Sequence, residues 1–162
     1  MKRTIAATLA ALAALLLLVA PSAQAARGQS IVEIAAANRQ FSTLVRLVRA
    51  AGLVRALSGP QKLTVLAPTN AAFAKVPRRT LNALARDRRA LRRVLLYHVI
   101  RGAVPARTVV TLRSARTLAG PSVSIRVKGG KVYVNKARVT KTDIRASNGI
   151  VHVLDGVLLP PS

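Results

Sequence analysis

Apolar residues recur along this chain first with a helical period and then with a period of two. Phe41, Leu44, Val45 and Val48 fall at i, i+3, i+4 and i+7, with Arg39, Arg46 and Arg49 between them. That pattern predicts an amphipathic helix, which Gly52 can end. A shorter helix is predicted over Ser30 to Asn38, with Ile31, Ile34 and Ala35 on one face, Ser30 as N-cap and Glu33 placed to close a capping box. After Ser58-Gly59-Pro60, the stretch LTVLAPTNAAF (63–73) reads as a strand halted at Pro68, with Thr69 or Asn70 capping a following helix. Thr80 and Asp87 are the next cap candidates. From Asp87 onward Leu91, Val94, Leu95 and His98 repeat the helical spacing, so His98 closes an apolar stripe.

From Arg107 the period becomes two. In SVSIRVKGGKVYVN (122–135), Val123, Ile125 and Val127 alternate with polar residues, Gly129-Gly130 supplies a two-residue turn, and Val132 and Val134 resume the alternation. That turn sets a register in which Ile125 faces Val134 and Val127 faces Val132 on the buried side. Arg126 then faces Tyr133 and Lys128 faces Lys131 on the wet side. Two further strands are expected over Arg138 to Thr142 and Ile150 to Leu154. Helices followed by strands give an α+β layout.

The first 25 residues stand apart from this pattern. Lys2 and Arg3, an uncharged apolar run from Ile5 to Ala20, and Ala23-Gln24-Ala25 have the order of a secretory signal peptide cleaved after Ala25. Residues 26–162 are then a single domain, with its core over about residues 31–160, and the mature protein is expected to be secreted, extracellular or held in the cell envelope. The chain has no cysteine, so apolar burial has to hold the exported domain together without disulfides.

Charge changes the picture most. The 27 basic residues, less Lys2 and Arg3 of the leader, leave 25 against 4 acidic ones, a net of +21. Such a surface attracts polyanions, and Arg binds phosphate and carboxylate in a planar fork. Export points to anionic envelope polymers, acidic polysaccharides or lipid headgroups as partners, including peripheral contact with a membrane surface. Compositional bias toward Arg is the competing explanation. The densest segment is RRTLNALARDRRALRR (78–93), whose Arg78, Arg79, Arg86, Arg88, Arg89, Arg92 and Arg93 are the candidate polyanion-binding residues. Arg88 and Arg89 would sit in a first helical turn, where the macrodipole disfavours positive charge. Either an anionic partner compensates or composition overrides a small penalty.

Material for catalysis is sparse. In NGIVHVLDGVLL (148–159), His152 and Asp155 are three apart, so on a strand their side chains diverge unless Asp155 already lies in the turn begun by Gly156. His152 shares its strand face with Ile150 and Leu154, which marks a structural histidine. There is no G-x-S-x-G, no phosphate-binding glycine loop, and no metal-ligand spacing among two histidines and four scattered carboxylates. No cofactor is expected and the chain is read as non-enzymatic. With two Phe, two Tyr and no Trp, it also lacks the stacking groups of a single-strand nucleic-acid platform, so no specific nucleic acid is expected.

Three stretches in order, LTVLAPTNAAFAKVP (63–77), LRRVLLYHVIRG (91–102) and VTKTDIRASNGIVHVLDGVLLPP (139–161), resemble the fasciclin domain family. FSTLVRLVRAAGL (41–53) is similar to that family's opening helix. The resemblance runs from about Ile31 to Pro160. It implies a compact domain with N-terminal and central helices packed on a wedge of two β-sheets, found on secreted and surface proteins, and serving adhesion or extracellular interaction with polymers or proteins. It also implies a framework role for Tyr97, His98, Asp143, Asn148 and His152. In animal members the positions matching Tyr97, His98, Asp143 and Ile144 are implicated in integrin contact. This chain departs from the family in charge, with Asn70, Ala71 and arginines where many relatives carry acidic residues.

Overall fold

A computed structural model describes residues 28–162; the expected leader and its cleavage point at Ala25 lie outside the described residues. The capping box forms as the sequence predicts. Ser30 Oγ accepts the Glu33 backbone N–H at 3.3 Å, the Glu33 carboxylate accepts the Ser30 N–H at 2.7 Å, and helix α1 (Ile31–Ala37) follows. A 3-10 turn, Arg39–Phe41, leads into α2 (Ser42–Ala50), so Phe41 ends the turn and the helix proper starts one residue later. Phe41, Leu44, Val45 and Val48 are all buried. Gly52, at φ 68, lets the chain reverse so that Leu53 N–H donates to the Val48 carbonyl, and α3 (Val54–Ser58) then seats Leu57 in the same core.

β1 (Leu63–Pro68) follows, and Thr69 caps α4 (Asn70–Ala74) through its hydroxyl. α5 (Arg78–Arg86) starts behind Pro77 without a side-chain cap, so Thr80 lies inside the helix. The fixed φ of Pro77, −55°, begins the helix where a hydroxyl cap was expected later. Asp87 does cap α6 (Arg88–Tyr97), its Oδ1 accepting from the N–H groups of Arg89 and Ala90. β2 (Val99–Arg101) and a four-residue helix α7 (Ala106–Val109) come next, so the period-two region opens on a helical turn. The strands β3 (Ser114–Arg116), β4 (Ser122–Lys128), β5 (Lys131–Val134), β6 (Ala137–Ala146) and β7 (Gly149–Leu154) complete the chain.

The seven strands are ordered β2-β1-β7-β6-β5-β4-β3, with β1 and β7 parallel and the other neighbours antiparallel. All six positions of β1 and of β7 are buried. Both strands are covered on two faces: Val65, Ala67, Val151 and Val153 join the helical core, while Leu66 and Leu154 join a second core. A strand buried on both sides reads as a continuous apolar run, which is why LTVLAP lacks alternation.

β6 turns the sheet into a wedge. Its first residues pair with β5 and the remainder with β7, with register shifts between Val139 and Lys141 and between Lys141 and Ile144. Asp143 lies in the second shift at φ 57. Bulges of this kind bend a strand. The two edges approach each other through an Ile100–Thr117 bridge and a Leu118 N–H donating to the Val99 carbonyl. The second core fills the enclosed space with Leu66, Tyr97, Ile100, Val123, Val134, Ala137, Leu154 and Leu158.

The β4–β5 register is the expected one, Ile125 against Val134 through Lys128 against Lys131. Val127, expected to be buried, is instead 50% exposed. β6 pairs with β5 only at Tyr133 and Val134, and β3 with β4 only up to Ser124, so the hairpin tip projects past the core.

Candidate functional site

The polar residues singled out by the sequence do not converge on one site: Asp143 and His152 meet at one joint, and Tyr97, His98 and Asn148 each stitch another. His98, at the end of α6, is 2% exposed. Its Nδ1 donates to the Val94 carbonyl at 2.8 Å and its Nε2 accepts the Leu158 N–H at 2.9 Å, so the ring is neutral, protonated on Nδ1, and pins the C-terminal segment to the helix. Burial away from water lowers its pKa from 6.5 to about 4, against a smaller raising effect of the Val94 carbonyl. Its neighbour Tyr97 turns into the wedge, 3% exposed, donating its hydroxyl to the Ser122 carbonyl at 3.3 Å and accepting from Asn135 Nδ2 at 3.0 Å. A partner cannot reach either ring on the closed fold.

Asn148 joins the start of β7 to two helices. Its Oδ1 accepts the Ile31 N–H at 2.9 Å, and its Nδ2 donates to the carbonyls of Leu57 at 2.7 Å and Gly59 at 3.3 Å. The adjacent Gly149 is required by close approach, since a Cβ there would run into the Leu63 carbonyl across the β1–β7 ladder.

His152 is 1% exposed, its Nε2 donating to the Val104 carbonyl at 2.8 Å and its Nδ1 accepting the Asp143 N–H at 3.3 Å. Asp143 is exposed and its carboxylate accepts the Ala106 N–H at 2.9 Å, capping α7 from the bulged strand. Ile144 is half-buried against the helical core. Asp155 does not meet His152. It lies beyond β7, with its carboxylate on the Arg138 N–H at 2.8 Å, so the two side chains diverge and relay no proton.

All four acidic residues of the chain, Glu33, Asp87, Asp143 and Asp155, thus accept backbone N–H groups. Ser30's backbone N–H and then its hydroxyl hold the Glu33 carboxyl below its ordinary pKa. Sequence reasoning found the caps at Glu33 and Asp87 from local spacing. The roles of Asp143 and Asp155 are long-range and left no local trace.

The structure divides the arginines of α5 and α6. Arg78, Arg79, Arg86, Arg88, Arg89 and Arg93 are exposed and Arg92 is half-buried. Arg92 donates to the Ala51 carbonyl at 2.8 Å and the Arg88 guanidinium lies against Gly52, so both reach the C-terminal end of α2, where a cation is favoured. Arg93 donates to the Pro161 carbonyl at 2.9 Å. The unfavourable placement of Arg88 at the start of α6 is therefore offset by its position over the end of another helix. Arg78, Arg79, Arg86 and Arg89 are left facing outward.

Among the described residues no group of three or more His, Cys, Asp or Glu side chains is placed to hold a metal ion. An apolar cavity of about 30 Å³ lies between α1, α2 and the β1–β7 pair, and an open groove of about 830 Å³ runs between α4 and the C-terminal segment. Lys75 and Lys136 line that groove, and Lys75 donates to the Asp155 backbone carbonyl at 2.9 Å.

The fasciclin domain model matches residues 39–160. This chain belongs to the fasciclin family. It is 48% identical over 134 residues to protein sll1483 of Synechocystis sp., covering 82% of this chain and 74% of that protein. It is 36% identical to the immunogenic protein MPB70 of Mycobacterium bovis, with 88% and 75% covered. It is 37% identical to the transforming growth factor-beta-induced protein ig-h3 of Sus scrofa, where the match spans 83% of this chain but 19% of that longer protein. A FAS1 domain pair from the insect cell adhesion molecule Fasciclin I superposes with a TM-score of 0.66 at 16% identity, over 82% of this chain and 51% of that one, which establishes the shared fold. Helix α1 precedes the matched fasciclin segment, yet Asn148 ties it to the last strand.

Proposed function

We propose that this fasciclin domain is an exported, non-enzymatic interaction module that adheres to extracellular or cell-envelope material. The observation that carries the reading is the division of polar groups. Tyr97, His98, Asn148 and His152 are spent on internal hydrogen bonds, whereas the outward surface is strongly cationic. The basic start and apolar run before Ala25 support export, and the solved relative's description as a cell adhesion molecule supports the class of role. The test is fractionation of the producing cell: the protein is recovered in the envelope or medium, and its N-terminal read starts at Ala26. A read from Met1 on the extracellular protein refutes the leader.

A second reading, in which the fold is a scaffold for charge and binds anionic envelope polymers or lipid headgroups through α5 and α6, is favoured by one observation. The hydrogen bonds of all four carboxylates run to backbone N–H groups and none to an arginine side chain, so four negative charges stand against the whole basic excess of the surface. Replacing Arg78, Arg79, Arg86 and Arg89 by Gln keeps helix propensity and spares the internally bonded Arg92 and Arg93. On this reading, binding to anionic wall polymer weakens steeply between ~50 and ~200 mM salt, and the Gln variant shows a shallower slope. An unchanged slope removes these helices from the interface.

A further inference from the structure

The outward face of the β3–β6 half of the sheet carries an arrangement that the fold itself does not use. Gly129 and Gly130, at φ 57 and 72, form the turn that sets Arg126 opposite Tyr133 and Lys128 opposite Lys131. On the other side of β5, Tyr133 stands opposite Arg138 of β6. Ile125, Val134 and Ala137 pair on the buried face, so Arg126, Tyr133 and Arg138 form a row on the outer one. Strand spacing places the two arginine backbones ~10 Å apart with the ring between them. The Lys128–Lys131 pair is the next row on the same face.

Four features single this row out. Of the four Phe and Tyr residues in the chain, Phe41, Phe73 and Tyr97 are buried, and Tyr133 alone keeps part of its ring at the surface. Arg126, Lys128, Lys131 and Arg138 around it are exposed. Directly opposed lysines weaken a hairpin, and the four carboxylates make their hydrogen bonds elsewhere, Asp155 to the backbone N–H of Arg138. Arg126 makes only a long contact, 3.4 Å, to the Asn135 carbonyl, so its guanidinium is open to a better acceptor.

We propose that this face binds an acidic polysaccharide whose sugar rings carry carboxylates. Tyr133 covers the apolar C–H face of one ring. Arg126 and Arg138 take carboxylates to either side in planar forks, and Lys128 and Lys131 extend the field along the polymer. A single ring between two cations fits this ligand better than single-stranded nucleic acid, which needs successive stacking groups. It also fits better than a membrane surface, which needs an apolar face to insert. The proposal rests on the reading of the chain as an exported interaction module but assigns a surface separate from α5 and α6.

The experiment compares binding of the exported protein to polygalacturonate, to polyglutamate, which has carboxylates without rings, to inorganic polyphosphate and to single-stranded DNA. The variants are Tyr133→Val, the double Arg126→Gln/Arg138→Gln, and the helix control Arg86→Gln/Arg89→Gln, with thermal melting to confirm that each folds. Polygalacturonate is expected to bind most tightly, with Tyr133→Val weakening it about tenfold and leaving polyglutamate nearly unchanged. The arginine double is expected to weaken both carboxylate polymers and so tests the face even if Tyr133→Val misfolds. Unchanged polygalacturonate affinity in the sheet variants, or tighter binding of polyphosphate or DNA, overturns the proposal. If only the helix control loses binding, the sheet assignment falls while the polyanion reading stands. If the native protein binds none of the polymers, both fall.

Discussion

Acidification should destabilise this protein by charging His98. The ring is buried and neutral, and its Nε2 must stay unprotonated to accept the Leu158 N–H. Its folded pKa is lowered to about 4, so between 6.5 and about 4 the unfolded chain binds a proton that the folded one does not. Stability therefore rises with pH across that window: the contribution is fully present above about 6.5 and is lost as pH falls toward 4. At ~1.4 kcal/mol per pH unit the loss is about 3 kcal/mol, a large fraction of the ~5 to 15 kcal/mol typical of a domain.

Urea unfolding of the native protein and of His98→Ala, repeated from pH 7.5 to 4, isolates that contribution. At neutral pH the substitution should cost about 3 kcal/mol, through an unsatisfied Leu158 N–H, an unpartnered Val94 carbonyl and a cavity. The gap between the two proteins should then close as pH falls, because the variant has no ring to protonate. Hydrogen exchange at Leu158 should accelerate first. Parallel stability curves would show that His98 does not set the acid limit, and the reasoning from burial to pKa to stability would fail.

Other expectations follow from individual joints. Asn148→Ala should cost about 2 to 4 kcal/mol in thermal unfolding and expose the Ile31 amide to exchange, since it leaves the Ile31 N–H and the Leu57 carbonyl unpaired. Gly149→Ala should cost about 3 kcal/mol or prevent folding, because its Cβ meets backbone in the β1–β7 ladder, and a near-native melt would contradict that contact. Asp143→Asn should lie close to native, because Asn tolerates the left-handed φ of 57 and its amide oxygen can cap α7, whereas Asp143→Ala should lose about 1 to 2 kcal/mol in urea titration. Equal melts for the two would remove the cap from the account.

What could be read in advance was whatever is local in sequence. The Ser30–Glu33 box, the Asp87 cap and the Gly129-Gly130 register each depend on residues within a few positions of one another, and each forms as expected. The helical stripe points His98 into the core, where it lies, yet its acceptor role toward Leu158, 60 residues away, has no signal in spacing. Val127 departs from the burial its alternation predicts because alternation reports which face a residue occupies and says nothing about whether that face extends beyond the core. The arginine segment looked uniform in sequence; only the packing of α6 against the end of α2 separates the internally engaged Arg88 and Arg92 from the outward Arg86 and Arg89.

The separation of interior and surface chemistry bears on how such an imbalance of charge is tolerated. A domain with 25 basic and 4 acidic residues repels itself, and four carboxylates, each hydrogen-bonded to backbone, are too few for surface ion pairs to offset this. Its cohesion comes from two apolar cores and from neutral hydrogen bonds at His98, Asn148 and His152, none of which weakens when salt screens charge. Salt should therefore stabilise the fold by relieving repulsion while it weakens attachment to any polyanion. Those opposite responses separate the two roles of charge in one titration: a melting temperature that falls together with binding would mean that surface ion pairs hold the fold, contrary to the hydrogen-bond pattern of its four carboxylates.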